Sequence, residues 1–343
     1  MMRLPRFRFV APASVAEAAD VLARATPGDA MIVAGGTDLI PNMKRRQQTP
    51  GTLVSLGRID ELREIRNGDG LTIGAGVTLT ALVDALSRAA KPQLDGLRQA
   101  AMQIATPHLR NMGTIGGNLC LDTRCNYYDQ NYEWRKAIDF CMKKDGATCW
   151  VATSSPKCLA VSSTDTAPAL IALDATVTLT SASGSRTLPA AALYRNDGID
   201  YVTRRPDEIV TAVHLSPLHG WRSTYWKLRR RGSFDFPVLS VAAAVRVARD
   251  GAITDARIVL GAIASCPVVA APAAALLVGK PLTDEQIGRA ADTAAQPARP
   301  MDNTDFTLLW RKRMTRVFVS YALQELRGDD MRAARRRIAR QLI

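Results

Sequence analysis

Ile32-Val33-Ala34-Gly35-Gly36-Thr37-Asp38-Leu39 is the stretch that decides the fold class of this 343-residue chain. Residues 31–34 form a short apolar run that reads as a buried strand. Two glycines follow, then a threonine and an aspartate in a turn. Residues 39–46 read as a helix with Pro41 in its first turn, where a missing N–H costs little. Glycines between a strand and a helix let successive backbone N–H groups face one anion, and the helix start adds positive dipole. Asn111-Met112-Gly113-Thr114-Ile115-Gly116-Gly117-Asn118 repeats this chemistry about 80 residues later. A dinucleotide carries two phosphates and takes donors from more than one segment, so the pair of loops points there. Each loop alone reads more often as plain chain reversal. Neither is the G-x-G-x-x-G of a nicotinamide fold. Gly74-Ala75-Gly76 begins like that fingerprint, but Leu79 stands where its third glycine belongs.

Working outward, 14–25 reads as a helix with Ser14 as N-cap and Glu17 three positions on. A strand is expected at 53–56. The runs 62–65 and 71–73 flank Asn67-Gly68-Asp69-Gly70, a hairpin signal, and helices are expected at 79–88 and 94–105. From 106 to 165 the chain is irregular and rich in Cys, Gly, Asn and Tyr. Strands resume at 176–179, 209–215, 224–228, 238–247 and 253–262. Helices follow at 271–278, 284–295 and 304–327. No internal repeat is present. The order suggests two α/β parts and then strands followed by helices.

A chain of 343 residues is long for one core, so two or three domains are expected. No apolar run reaches the roughly 20 residues that cross a bilayer. The basic start is soon interrupted by Glu17 and Asp20, a poor secretion signal, so a cytoplasmic location is expected. The net charge of +13 fits a solvated basic surface or an acidic partner. Nucleic acid is not expected, because no aromatic–basic strand pattern occurs. Arg332, Arg336 and Arg340 are four apart and share one face of a C-terminal helix, read as a solvated tail. With only His108, His214 and His219 present, no Ser–His–Asp set is found and no catalytic nucleophile is assigned. His108 lies between the loops and reads as structural.

Five of the six cysteines fall between 120 and 158: Cys120, Cys125, Cys141, Cys149 and Cys158. Cys266 stands apart before Pro267 and reads as a buried small hydrophobe. Disulfides fit a reducing compartment badly. Structural zinc takes four ligands but usually includes a tight C-x(2–4)-C pair, absent here. An iron–sulfur cubane also takes four thiolates. Spacing alone leaves zinc and iron both open.

Taken together, Val33-Ala34-Gly35-Gly36-Thr37-Asp38-Leu39, Ala105-Thr106-Pro107-His108-Leu109-Arg110-Asn111 and Gly113-Thr114-Ile115-Gly116-Gly117-Asn118 resemble the flavin subunits of the xanthine dehydrogenase and carbon monoxide dehydrogenase family. The resemblance runs over nearly all of residues 5–325. It implies an α+β fold: two N-terminal α/β subdomains, 1–58 and 59–218, with FAD between them. A C-terminal domain, 219–327, would hold a three-stranded sheet and helices, followed by a basic tail, 328–343. Val33 to Leu39 and Thr114 to Asn118 would cradle the FAD pyrophosphate, with Thr106, Asn111 and Gly113 in the same site. Asp165, in Ser162-Ser163-Thr164-Asp165, and Lys227, in Tyr225-Trp226-Lys227-Leu228, fall at flavin-contacting positions. Ile104 falls near the isoalloxazine ring. Read alone, Asp165 is a cap and Lys227 a surface residue.

Most flavin subunits of this family pass almost directly from the second glycine loop to the Ser-x-x-Asp segment. Here about 40 residues intervene, from Cys120 to Cys158. The insert, with Asp122-Thr123-Arg124-Cys125, Tyr127-Tyr128, Asn131-Tyr132-Glu133-Trp134-Arg135, Phe140-Cys141-Met142-Lys143 and Cys149-Trp150, is similar to that of the 4-hydroxybenzoyl-CoA reductases. That likeness implies a [4Fe-4S] cluster on Cys125, Cys141, Cys149 and Cys158, with Cys120 packed beside the FAD loop. Arg135, Lys143 and Lys144 would balance cluster charge or simply face solvent. It further implies ferredoxin as electron donor, a small subunit with two [2Fe-2S] clusters, and a large subunit with the molybdenum cofactor, in a dimer of heterotrimers. The reaction would be reductive dehydroxylation of 4-hydroxybenzoyl-CoA to benzoyl-CoA. Two alternatives stand beside it: a molybdenum hydroxylase oxidising an aromatic or heterocyclic substrate, and a zinc-stabilised interaction module without enzymatic activity.

Overall fold

The computed structural model describes residues 3–340. Its first sheet is parallel. Strands β1 (Arg8–Val10), β2 (Ala30–Val33) and β3 (Thr52–Ser55) lie in the order β1-β3-β2. Parallel neighbours need crossovers, which helices α1 (Val15–Arg24) and α2 (Leu39–Lys44) supply. Ser14 caps α1 by accepting the Glu17 N–H. Val15, Ala18, Ala19 and Leu22 form its buried stripe and pack with Val54, Leu56 and Ile59.

The second sheet has five antiparallel strands: β4 (Ile65–Asn67), β5 (Leu71–Gly74), β6 (Thr176–Ser181), β7 (Gly184–Pro189) and β8 (Ile209–Leu215), ordered β4-β5-β8-β6-β7. The hairpin turns where Asn67-Gly68-Asp69-Gly70 signalled it, although residues Asp60–Arg63 form a 3-10 turn rather than strand. Strand β7 was not foreseen. Its sequence, Gly-Ser-Arg-Thr-Leu-Pro, has almost no apolar alternation because it is an exposed edge. About a hundred residues separate β5 from β6 and hold α3 (Leu79–Ala89), α4 (Asp95–Met102), α5 (Pro107–Arg110), α6 (Ile115–Leu119), α7 (Tyr132–Ala137) and α8 (Thr166–Ala172). Helices α5, α6 and α7 run four to six residues, too short to show a helical period, so 106–165 reads as irregular. In α8 every residue is buried.

The third sheet corrects the expected count. Four strands, not three, are ordered β12-β11-β10-β9: β9 (Trp221–Leu228), β10 (Leu239–Val247), β11 (Ile253–Gly261) and β12 (Val268–Val269). The added strand has two residues and carries no periodicity of its own. Helices α9 (Ala271–Ala275), α10 (Asp284–Ala295) and α11 (Leu308–Arg327) pack against this sheet, with Trp226, Val241, Ile258, Phe318 and Leu323 in their shared core. Gly328 ends α11 at φ +115°, the left-handed cap that favours glycine.

The tail helix α12 (Arg332–Ala339) is present, but it is not simply solvated. The Arg335 guanidinium lies 4.1 Å over the Trp226 ring and donates to Glu325 Oε1 and Oε2 at 2.8 and 2.6 Å. Arg332, Arg336, Arg337 and Arg340 remain exposed. Among the described residues, no helix is long and apolar enough to cross a membrane.

Candidate cofactor cleft and cysteine site

Strand β2 ends at Val33 and delivers Ala34 to Asp38 into a tight turn before α2. Gly36 sits at φ +68°, a conformation glycine adopts without steric cost. Gly35 is required for a different reason. A Cβ there would overlap the carbonyl oxygen of Met112, so the first glycine loop lies directly against the second. Among the described residues, no acceptor takes the backbone N–H groups of Gly35, Gly36, Thr37 or Asp38. These four free donors, in one loop with no apolar side chain between them, make an anion nest.

The second loop is built differently. Thr106 caps α5 by accepting the Leu109 N–H, and Thr114 caps α6 by accepting the Gly117 N–H at 3.0 Å. Ile115 and Gly116 donate to the carbonyls of Val77 and Ala75, and the Gly113 carbonyl accepts from Leu79. Most of its amides are therefore already bonded, so it shapes the wall more than it offers N–H donors. Asn118 Oδ1 accepts from Thr164 Oγ1, Thr166 N and Thr166 Oγ1 at 2.8, 3.1 and 2.6 Å. This ties the second loop to the Ser-Ser-Thr-Asp segment 46 to 48 residues on.

Between the two loops opens a cleft of about 780 Å³. Of the residues expected from sequence, Val33, Ala34, Gly35, Gly36, Thr37, Asp38, Leu39, Ile104, Gly113, Thr114, Gly116, Gly117, Asn118 and Asp165 line it. Ile115 points into the core, where it is fully buried. Asn111 accepts from Thr80 Oγ1 at 2.7 Å and, like Thr106, stays off the lining. Lys227 does not line the cleft either, and it is not a surface residue. It is buried, with Nζ donating to Asp165 Oδ2 at 3.0 Å and to the Gln103 carbonyl at 3.1 Å. Asp165 Oδ1 also accepts from the Tyr225 hydroxyl at 2.6 Å. Burial pushes the Asp165 carboxyl above its usual range and the Lys227 ammonium below its own; each charge partly offsets the other's desolvation.

The remaining lining was not anticipated. Arg124 and Asp129 come from the cysteine-rich insert, Tyr201 and Arg204 from before β8, and Phe234 and Phe236 from the turn between β9 and β10. Nothing local in the sequence marks the last four, which reach the cleft only through long-range packing. Cys120 lines the cleft, as expected from its place after the second loop. His108 is exposed, and His214 sits between Thr72 and Thr178.

All six cysteines are free thiols, and Cys125, Cys141, Cys149 and Cys158 are buried. Cys125, Cys141 and Cys158 belong to one apolar cluster with Tyr128 and Ala160. Burial, with smaller contributions from Cys158 and Cys141, pushes the Cys125 thiol up to about 12. Burial, then Cys149 and Cys141, does the same to Cys158, to about 11. Cys158 thus lies within electrostatic reach of the other three thiols, and Cys125 of Cys141. Backbone N–H groups also face these sulfurs: Ala160 donates to Cys158 Sγ at 3.4 Å, and Tyr127 and Tyr128 act on Cys125. A Cβ at Gly198 would crowd Cys158 Sγ to 2.6 Å. Among the described residues, no three His, Cys, Asp or Glu side chains close tightly enough around one point to hold a metal ion. Cys266 is only half-buried and stands outside the cluster.

The charged residues of the insert divide: Glu133, Lys136, Asp139 and Asp145 are exposed and Lys144 is half-buried beside Asp145 at 3.2 Å, whereas Arg135 and Lys143 turn inward. Arg135 is fully buried, with Nη2 donating to the Arg45 carbonyl, and the Lys143 side chain is buried, with Nζ donating to Asp122 Oδ1 at 2.7 Å, Thr123 Oγ1 at 2.6 Å and the Gly198 carbonyl at 2.6 Å.

Residues 5–217 match the FAD binding domain in molybdopterin dehydrogenase, and residues 223–326 match the CO dehydrogenase flavoprotein C-terminal domain. The aldehyde oxidoreductase FAD-binding subunit PaoB of Escherichia coli is 33% identical over 87% of this chain and 92% of its own length. The carbon monoxide dehydrogenase medium chain of Afipia carboxidovorans is 29% identical over 94% of this chain and 97% of its own. A carbon monoxide dehydrogenase structure from Hydrogenophaga pseudoflava superposes with a TM-score of 0.76 at 28% identity, covering 94% of this chain and 98% of that one. With its paired glycine loops and both family domains in sequence, the chain belongs to the FAD-binding subunits of the molybdenum hydroxylase family, of the carbon monoxide dehydrogenase medium-chain type.

Proposed function

We propose that this FAD subunit also holds a [4Fe-4S] cluster on Cys125, Cys141, Cys149 and Cys158 and serves a 4-hydroxybenzoyl-CoA reductase. In this reading it relays electrons from a ferredoxin toward the two [2Fe-2S] clusters of a small subunit and the molybdenum site of a large subunit. Its setting is a cytoplasmic dimer of heterotrimers, and its units are 1–58, 59–218 with the insert 120–158, 219–327 and the tail 328–343. The observation that carries the proposal is the set of four buried, reduced cysteines in a segment that also walls the FAD cleft. When bound, a flavin exchanges electrons singly or in pairs and a cubane exchanges them singly, a combination suited to a one-electron carrier.

The free N–H groups of Gly35, Gly36, Thr37 and Asp38 are assigned to the FAD pyrophosphate, with Thr114 and Asn118 across the cleft. Ile104 offers an apolar contact to the ring. The carboxyl of Asp165, held by Lys227 and Tyr225, presents a fixed polar group there. No residue of this chain is assigned to contact the CoA ester.

Anaerobic purification with partner subunits tests the reading. Flavin bands with a broad iron–sulfur shoulder are expected, with iron and labile sulfide each near eight per flavin, about four from this chain and about four from the small subunit. Benzoyl-CoA should form from 4-hydroxybenzoyl-CoA and reduced ferredoxin. Iron near four per flavin, the small subunit's share alone, overturns the cluster, and iron near eight without benzoyl-CoA overturns the substrate. A second reading has its own support in the aldehyde oxidoreductase relative: an outward-running molybdenum hydroxylase. Flavin reduction by an aldehyde or aromatic heterocycle, without benzoyl-CoA formation, would favour it.

A further inference from the structure

The cysteine-rich insert and the first glycine loop are far apart in sequence, yet one buried side chain joins them. Arg124, immediately before Cys125, is held by backbone bonds to Val161 in both directions at 2.8 and 2.7 Å. Its Nη2 pairs with Asp38 Oδ1 in the first glycine loop. Its Nη1 lies 3.2 Å from Asp129 Oδ1 and 3.4 Å from Asn42 Oδ1 of α2. The second oxygen of Asp129 accepts the Cys125 N–H at 3.2 Å. The guanidinium also lies 4.5 Å over the Phe236 ring. Arg124, Asp38, Asp129 and Phe236 all line the cleft. One planar cation thus bridges the segment that presents Cys125 and the loop with free N–H donors, a geometry that a guanidinium fork holds and a flexible ammonium does not. A parallel strut lies beside it. Asp122, also on the cleft wall, takes the buried Lys143 from the far side of the insert and accepts from Gln48 Nε2 at 3.2 Å.

We infer that Arg124 is a positioning residue that couples the two cofactor sites, so that iron loading of the four-cysteine site tightens FAD binding and FAD tightens iron retention. The inference rests on the proposed iron–sulfur reading. An occupied cysteine site fixes the backbone at Cys125, which fixes Asp129 and Arg124, which fixes Asp38 and the turn that faces the nucleotide. Coupling of this kind is reciprocal for binding free energies. Asp38 does not cap α2 with its own side chain; its Oδ2 accepts from Asn42 Nδ2 at 3.0 Å, and its other oxygen pairs with Arg124, so Arg124 is the bond that ties this turn to the insert.

The test uses the purified protein prepared without oxygen, as isolated and after removal of iron with a chelator. FAD affinity is read from flavin fluorescence, iron retention from metal analysis, and folding from circular dichroism. In the unmodified protein, iron removal should weaken FAD binding about tenfold, within the range common for coupled sites. Arg124→Gln should bind FAD about tenfold more weakly when loaded and show no further loss on iron removal. A residue that merely supported the fold would lower affinity in both states and keep the dependence on iron. Asp38→Asn breaks the same pair from the flavin side without touching the insert, and should speed iron loss in the presence of FAD to the rate seen in its absence. Iron present but FAD affinity indifferent to its removal overturns the coupling alone. The same dependence on iron in both Arg124→Gln and the unmodified protein overturns Arg124 as its carrier. Absence of iron from anaerobic preparations overturns the cluster reading and the coupling with it.

Discussion

Lys227 Nζ lies 3.0 Å from Asp165 Oδ2, joining β9 to the start of α8 with both side chains buried. Tyr225, two residues from Lys227 on the same strand, donates to the other carboxylate oxygen at 2.6 Å. Asp165 alone faces the cleft, so the lysine acts through it.

Removing one member of that pair should cost far more than removing both. Lys227→Met leaves a buried carboxylate with only Tyr225 and is expected to destabilise the fold by about 3 kcal/mol or more. Lys227→Met combined with Asp165→Leu should cost clearly less than the sum of the single changes. Urea unfolding of the four proteins in the cycle measures this. Strict additivity would show that the two charges do not interact.

Gly35→Ala tests whether the glycine loops must touch. The added methyl meets the Met112 carbonyl, a backbone atom that cannot rotate away. Overpacking of this kind costs about 1–3 kcal/mol, and the displaced turn should bind FAD at least about tenfold more weakly, since a tenfold loss corresponds to only about 1.4 kcal/mol. The flavin-to-protein ratio after gel filtration reads the result. A normal ratio with unchanged stability would mean that the loops separate freely. Gly28→Ala is a useful contrast, because its Cβ meets nothing but its φ of +86° is strained.

How far these features were legible in the sequence depended on range. The 31–34 strand, the Gly35-Gly36 turn and the α1 cap are local, and periodicity and cap chemistry reveal them. The roles of Asp165 and Lys227 came only with the family resemblance, because each alone reads as an ordinary polar residue. That Lys227 is buried follows from a partner 62 positions away. Arg124 stands in the sequence only as part of the Asp122-Thr123-Arg124-Cys125 motif, and its role escaped because its partner Asp38 lies in another sheet's loop. Strand β12 and helices α5 to α7 escaped because two to six residues are too few to establish a period.

Tail docking should be sensitive to acid. Burial alone would raise the Glu325 carboxyl, but hydrogen bonds and charge from Arg335, with Thr224 and Trp226, hold it below its ordinary value of 4.5. A depressed carboxylate contributes stability above its unfolded value and loses it as pH falls through the folded one. Protection of α12 amides against hydrogen exchange should therefore persist at neutral pH and fall away below about 4.5. Glu325→Gln should show the low protection at all pH values. An acid-insensitive α12 would mean that stacking of Arg335 on Trp226 alone holds the tail.

Cys141→Ser addresses the four-sulfur site most directly. Cys141 is buried in the same cluster as Cys125 and Cys158, and a serine hydroxyl is a poor substitute for a thiolate toward iron. The variant is expected to lose the iron–sulfur absorbance while still taking up flavin at saturating FAD, because no part of Cys141 lines the cleft. Cys266→Ser is the matched control: that thiol is half-buried outside the cluster, and the change should leave iron and flavin content untouched. Iron analysis and absorbance of the two variants, purified side by side without oxygen, decide the matter. Loss of flavin with retention of iron in Cys141→Ser would reverse the assignment of the two sites, and equal iron in both variants would remove Cys141 from the ligand set.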